Sequence, residues 1–215
     1  MIKTNETGRS MIEMLGVLAI IGVLSVGGIA AFGTMFNRYK VNETQIQANA
    51  IAAKISAFGA ESASYNGLNN KAAVKMGAIP SSAVSNADNG TLTNMYKGTI
   101  TVAAAKLFTD STDLLAYTIT YNHLPKDACV AMAAYDWGNG SSSLIGVGVG
   151  ASDSDIAGIN NALYKGCSGV KADADNRYSV ACNKGKTVPV PMPPASLGSA
   201  CGCKTQTCVL VLKFI

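Results

Sequence analysis

The sequence predicts an α+β protein in which a long N-terminal helix, apolar in its first half and amphipathic in its second, leads into a globular head. Three observations carry this prediction. Residues 11–36 form an apolar block whose one ionisable residue is Glu13. Residues 37–59 turn polar but keep apolar side chains at helical spacing. The remaining residues alternate short strand-like runs and one Pro-started helix with Gly- and Ser-rich loops.

The apolar block comes first because it sets the location of everything after it. At 1.5 Å per residue it is long enough to cross the roughly 30 Å hydrocarbon core of a bilayer as a helix. A cleaved secretory signal would have a shorter apolar stretch, of about 7–15 residues, ending in an Ala-x-Ala-like site. The block is therefore expected to stay in the mature chain. A carboxylate in lipid costs about 2.5–3.5 kcal/mol on insertion scales, so Glu13 implies a partner or a position at the interface. Gly16, Gly22, Gly27, Gly28 and Gly33 would allow close approach of another helix.

In the second half, Val41, Ala48, Ile51, Ile55 and Phe58 recur at spacings of 7, 3, 4 and 3, one stripe of an amphipathic helix. With the apolar block it makes a rod on the order of 70 Å ending near Gly59, its first half bare and its second roofed by the head. In the head, residues 68–76 read as a short helix stopped by Gly77 and Pro80. Residues 99–103, 115–121, 144–149 and 209–214 read as strands, and residues 125–135 as a helix with Pro125 near its first turn. Residues 139–143 and the Pro-rich 188–194 read as loops.

Composition narrows the function. With 48% hydrophobic and 14% charged residues the chain is not disordered, and a net charge of +4 is too mild to demand nucleic acid. One histidine, His123, leaves most metal and general-base schemes without parts, and no Gly-x-Ser-x-Gly or phosphate-loop motif occurs. An enzyme is not expected, and neither is a cofactor. Asp153/Asp155 and Asp173/Asp175/Asn176 lack a full calcium-loop spacing and read as solvated loops. Trp137 reads as a core anchor, ahead of a sugar-stacking role.

Six cysteines, Cys129, Cys167, Cys182, Cys201, Cys203 and Cys208, all lie in the head. An even count beyond a membrane anchor favours disulfides over a zinc site, and six thiols allow fifteen pairings. Cys201 and Cys203 are too close in sequence to bridge each other without strain, so each is expected to pair elsewhere.

Gly8-Arg9-Ser10-Met11-Ile12-Glu13, followed at once by a retained membrane-length helix, resembles the signature of the type IV prepilin family. The head segment YTITYNHLPKDACVAM at residues 117–132 and Ala181-Cys182-Asn183 resemble the type IVb pilin head. The resemblance is strong over residues 8–60 and weaker over 99–183. It implies a leader at 1–8, a membrane and filament-core helix at 9–36, its amphipathic continuation at 37–60, and a disulfide-stapled head with an antiparallel sheet at 61–215. It also implies cleavage by a prepilin peptidase after Gly8, methylation of the new amine at Arg9, and a Glu13 that pairs with the N-terminal amine of a neighbouring subunit. Arg9 stands where the family usually has an apolar residue. The helix-kinking Pro of short-leader members is missing, Ala30 being the nearest position, which fits the type IVb branch, although that branch usually has a longer leader.

The same resemblance joins Cys129 to Cys182, closing a loop of 53 residues worth roughly 4 kcal/mol, and makes loss of Cys201 the milder change. Residues 88–155 carry seven acids and three bases, and residues 165–213 carry seven bases and two acids, an asymmetry that suits head-to-tail packing of successive subunits. DNA binding by the basic part ranks below that packing. The expected protein is a pilus subunit: a single-pass inner-membrane precursor, handled by the pilus assembly machinery and built into a helical homo-oligomer on the cell surface. The rivals are a type II secretion pseudopilin and, further behind, a membrane-tethered periplasmic protein that reuses the anchor. Mass spectrometry of the mature chain should find Arg9 at its N-terminus, and a chain starting at Met1 or cut after Ala31 would overturn the processing expectation.

Overall fold

The structure is a computed structural model that describes residues 7–62, 64–106, 113–137, 144–150, 180–183, 186–189, 194–203 and 207–215. Helix α1 runs Thr7–Ser62, three residues past the expected stop at Gly59. By its contacts the chain divides into two units, residues 1–40 and 41–215, and the second contains the head.

Within the second unit, helices α2 (Asn70–Lys75), α3 (Lys126–Ala133) and α4 (Pro194–Ala200) accompany eight strands. The strands are β1 (Val84–Asn86), β2 (Thr91–Thr93), β3 (Thr99–Ala105), β4 (Ala116–Pro125), β5 (Leu144–Gly150), β6 (Val180–Asn183), β7 (Lys186–Pro189) and β8 (Thr207–Phe214). They form one sheet in the order β1-β2-β3-β4-β8-β5-β6-β7. Every pairing is antiparallel except β5 with β6. All four expected strands are present. β1, β2, β6, β7 and α4 were not expected; the first two are only three residues long, too short to show alternation.

Register explains the core. Directly paired residues share a face, and alternate residues along a strand change face. Ile100 and Val102 of β3 pair with Tyr121 and Ile119 of β4; these and Tyr117 pair with Leu210, Leu212 and Phe214 of β8; and those three pair with Val149, Val147 and Leu144 of β5. All are buried, and the Tyr117 and Phe214 rings stack at 5.3 Å. Ala48, Ile51, Ala52 and Ile55 of α1 are buried in the same cluster. The Tyr117 hydroxyl donates to the Ala52 carbonyl at 2.9 Å and lies 2.8 Å from Ser56 Oγ, which fixes this face as the one toward α1. Phe58, expected at the end of the stripe, is 45% exposed instead, because the buried run ends one turn earlier at Ile55.

Local chemistry sets the ends of the elements. Asn69 caps α2 by accepting from Ala72 N at 3.0 Å, and Asn70 pairs with Ile100 O and Val102 N along the edge of β3. Pro125 stands at the N-cap of α3, where its missing N–H is not needed. The turn from β2 to β3 is organised by buried Asn94, whose side chain accepts from Tyr96 N and Gly98 N and donates to Asn122 O. Gly98 is required there, since a Cβ would overlap the Asn122 carbonyl. His123, the one histidine, is exposed in the bulge of β4 at φ 58°.

The opposite face of β4 and β8 is buried as well, and carries Thr118, Thr120, Val211 and Lys213. The Lys213 ammonium donates to the Lys106 carbonyl, and burial pulls its pKa down from 10.5 to about 8. Since the unfolded chain binds this proton more tightly, the cost is in full force below pH 8 and is relieved as pH rises toward 10.5. Above pH 10 two tyrosines oppose the gain: burial raises Tyr121, and raises Tyr96 to about 12, so their ionisation favours the unfolded chain. Urea unfolding of the oxidised protein should therefore show stability rising from pH 7 to about 9.5. Lys213→Met should be more stable at pH 7 by on the order of 1–3 kcal/mol and should flatten that rise. An unchanged pH slope in the variant would assign the effect elsewhere.

Candidate functional site

The chain presents two features on which function can rest: a bare apolar helix and a head closed by disulfides. In residues 11–36 of α1 every large apolar side chain is exposed, from 46% at Phe36 to 75% at Val23. An 18-residue window of α1 between Met11 and Gly59 has a mean hydropathy of 2.4, which makes the helix long and apolar enough to cross a membrane. Its two hydroxyls are satisfied locally. Ser25 Oγ donates to Ile21 O at 2.7 Å and Thr34 Oγ1 to Ala30 O at 3.3 Å, so neither hydroxyl needs water. A Cβ added at Gly16, Gly22, Gly27, Gly28 or Gly33 would meet nothing within 4 Å, so no contact inside the described chain calls for these glycines.

The apolar surface ends in an aromatic ladder. Phe32 stacks on Phe36 at 5.9 Å, Phe36 on Tyr39 at 6.3 Å, and Lys40 Nζ sits 4.7 Å from the Phe36 ring centre. Gly8 and Arg9 lie in the helical backbone at the start of α1, and Glu13 is on the exposed apolar stretch.

In the head, Cys129 of α3 is bonded to Cys201 at the end of α4, and Cys203 to Cys208 at the start of β8. The expected bond of Cys129 to Cys182 is thereby corrected. Cys182 lies in β6, in register with Gly148 of β5 and Thr187 of β7, while α4 packs on α3 and brings Cys201 to Cys129 with Cα atoms 5.8 Å apart. The helix that made this pairing falls partly in the stretch read as a Pro-rich loop. Pro194 at its first position was the available signal, since Pro is favoured there. Cys201 and Cys203 do each pair elsewhere, as their spacing required. Cys167 lies outside the described residues, as do the two Asp clusters at 153–155 and 173–176 and five of the seven bases of segment 165–213.

α3 is tied to the helix as well as to the tail. Gln45 Nε2 donates to Ala131 O at 3.2 Å and Asn49 Nδ2 to the Tyr135 hydroxyl at 3.4 Å. Trp137 is 5% exposed, donates from Nε1 to Met132 O at 3.1 Å and meets Tyr135 edge-on, so it is a core anchor with no face free for a sugar. A small groove of about 150 Å³ lies where α1 ends, lined by Ile55, Phe58, Tyr65, Leu68, Ala72 and Met76. Gly59 permits it: a Cβ there would fall on the Tyr65 ring. Among the described residues no group of three or more His, Cys, Asp or Glu could hold a metal ion.

A membrane-length helix continuous with an amphipathic segment, which packs on the sheet of an α+β head, defines the type IV pilin fold. Residues 37–190 match the family model described as PilS N terminal, and the chain belongs to that family of pilins. A search of curated proteins found no match. Family and helix together give the chain a pilin-like structural role.

The observed pairing changes what each cysteine should do. In the loop-entropy model, the Cys129–Cys201 bond, spanning 72 residues, contributes roughly 4 kcal/mol, and the Cys203–Cys208 bond, spanning 5, about 2 kcal/mol. Cys129→Ser and Cys201→Ser should therefore destabilise the head alike, with the double variant no worse than either. Cys203→Ser should cost about half as much. Urea midpoints of the four proteins test this, and a mild Cys201→Ser beside a severe Cys129→Ser would refute the pairing.

Proposed function

We propose that this chain is a type IVb-like pilin: an inner-membrane subunit that a prepilin peptidase cuts after Gly8 and that the assembly machinery builds into an extracellular helical filament. The single observation that carries the reading is the exposure of every large apolar side chain over residues 11–36 in a chain of the PilS N terminal family. Such a surface is stable only in lipid or against other apolar helices, and a pilin occupies both environments in turn. Glycines without an intramolecular reason, and hydroxyls that bond their own backbone, suit a helix that exchanges lipid for neighbouring copies.

In this reading residues 1–8 are the leader, residues 9–36 pack in the filament core, and the disulfide-closed head forms the outer surface. Glu13 pairs with the N-terminal amine of an adjacent subunit and sets the axial register; Arg9, as the first mature residue, carries that amine. The direct test is electron microscopy of sheared surface material with mass spectrometry for this chain. Filaments containing it support a pilus, whereas a chain confined to the periplasm and co-purifying with a secretin supports a secretion pseudopilin. Glu13→Gln should leave insertion and head folding intact while reducing filament yield at least about tenfold, because the attraction to the incoming amine is lost. Normal filament yield from this variant would show that register is set by other residues.

A further inference from the structure

We propose that the Cys203–Cys208 bond is a thiol–disulfide exchange site, opened by dithiol reductants while the Cys129–Cys201 bond stays closed. The two bonds differ in access. Both Cys129 and Cys201 are fully buried, whereas Cys203 is only partly buried, so the Cys203–Cys208 bond is the one with a residue that solvent reaches. They also differ in what closure contributes, since a bond between residues 5 apart restrains the unfolded chain far less than one between residues 72 apart.

The surroundings also fit the reduced form. Cys208 Sγ lies 3.6 Å from the Cys201 carbonyl oxygen, and Cys203 Sγ lies 3.8 Å from Gly150 O and 3.9 Å from Ala200 O. Each thiol would find a backbone acceptor for its S–H without rearrangement of the sheet, so opening the bond strands no buried donor. Cys208 is nearly fully buried at the head of β8, and the remaining bond at Cys201 keeps α4 on α3.

The exchange proceeds in two steps. A thiolate of the reductant attacks Cys203 Sγ, forming a mixed disulfide; the Cys203–Cys208 bond breaks and Cys208 leaves as a thiolate that takes up a proton. The second thiol of the reductant then attacks the mixed disulfide, Cys203 leaves as a thiol, and the reductant departs as its own disulfide. Two electrons pass from the dithiol to the protein.

The inference concerns bonds inside the head and stands independently of filament assembly. Its test is a dithiothreitol titration of the full-length protein in detergent at pH 8, stopped by unfolding in urea with excess iodoacetamide and read by peptide mapping. Cys203 and Cys208 should be alkylated at a reductant concentration at least about tenfold below that needed for Cys129 and Cys201. In Cys203→Ser the low-concentration step at Cys208 should disappear, because Cys208 is then alkylated without reductant, while Cys129 and Cys201 respond as before. Concurrent opening of the two bonds, or earlier opening of Cys129–Cys201, overturns the proposal.

Discussion

Strand β8 is the last of the described strands in sequence and stands in the middle of the sheet, hydrogen-bonded to β4 on one side and β5 on the other. Until it docks, β4 and β5 have no common partner, and the apolar rows of Tyr117, Ile119 and Tyr121 and of Leu144, Val147 and Val149 are separate. Its own row, Leu210, Leu212 and Phe214, joins them into one core against α1. A central strand separated from its partner β4 by the whole stretch between Pro125 and Thr207 has high loop-closure entropy to overcome, so the head depends on devices that hold β8 in place. The two described disulfides fall at this point: one fixes α4 to α3, and the other ties the end of that segment to the first residues of β8.

The same strand carries Lys213, a charge the core must accommodate. Placed on the face opposite α1, its amine has the Lys106 carbonyl as acceptor, which satisfies one hydrogen bond but does not neutralise the charge. Burial therefore acts on its protonation and not on its position. A strand buried on both faces, with one lysine near its end, has a single acceptable register, because a slip by one residue would move Lys213 into the row of Phe214 against the helix.

α1 meets two different demands along one helix. Its segment in the head is held by specific polar contacts, Gln45 to Ala131 of α3, Asn49 to Tyr135 just beyond it, and Ala52 and Ser56 to Tyr117, around an aliphatic stripe. In its first segment the two hydroxyls turn inward, a Cβ added at any of the five glycines would meet nothing within 4 Å, and the large apolar side chains face out. The first arrangement fixes one partner. The second suits any apolar surrounding, whether lipid or other apolar helices.

Much of this was legible in the sequence. The apolar block, the amphipathic continuation, the four longer strands and the Pro-started α3 each follow from a local period or a local stop, and a local period survives whatever the tertiary context does. The rest depended on which distant segments meet. β1, β2, β6 and β7 are too short to carry a period and exist as strands because a neighbour offers them hydrogen bonds. Phe58 has the helical phase of the stripe but lies beyond the last buried turn. Six cysteines in the sequence allow fifteen pairings; the fold selected Cys129 with Cys201, because α4 packs on α3 and a disulfide forms only between sulfurs that packing has already brought together.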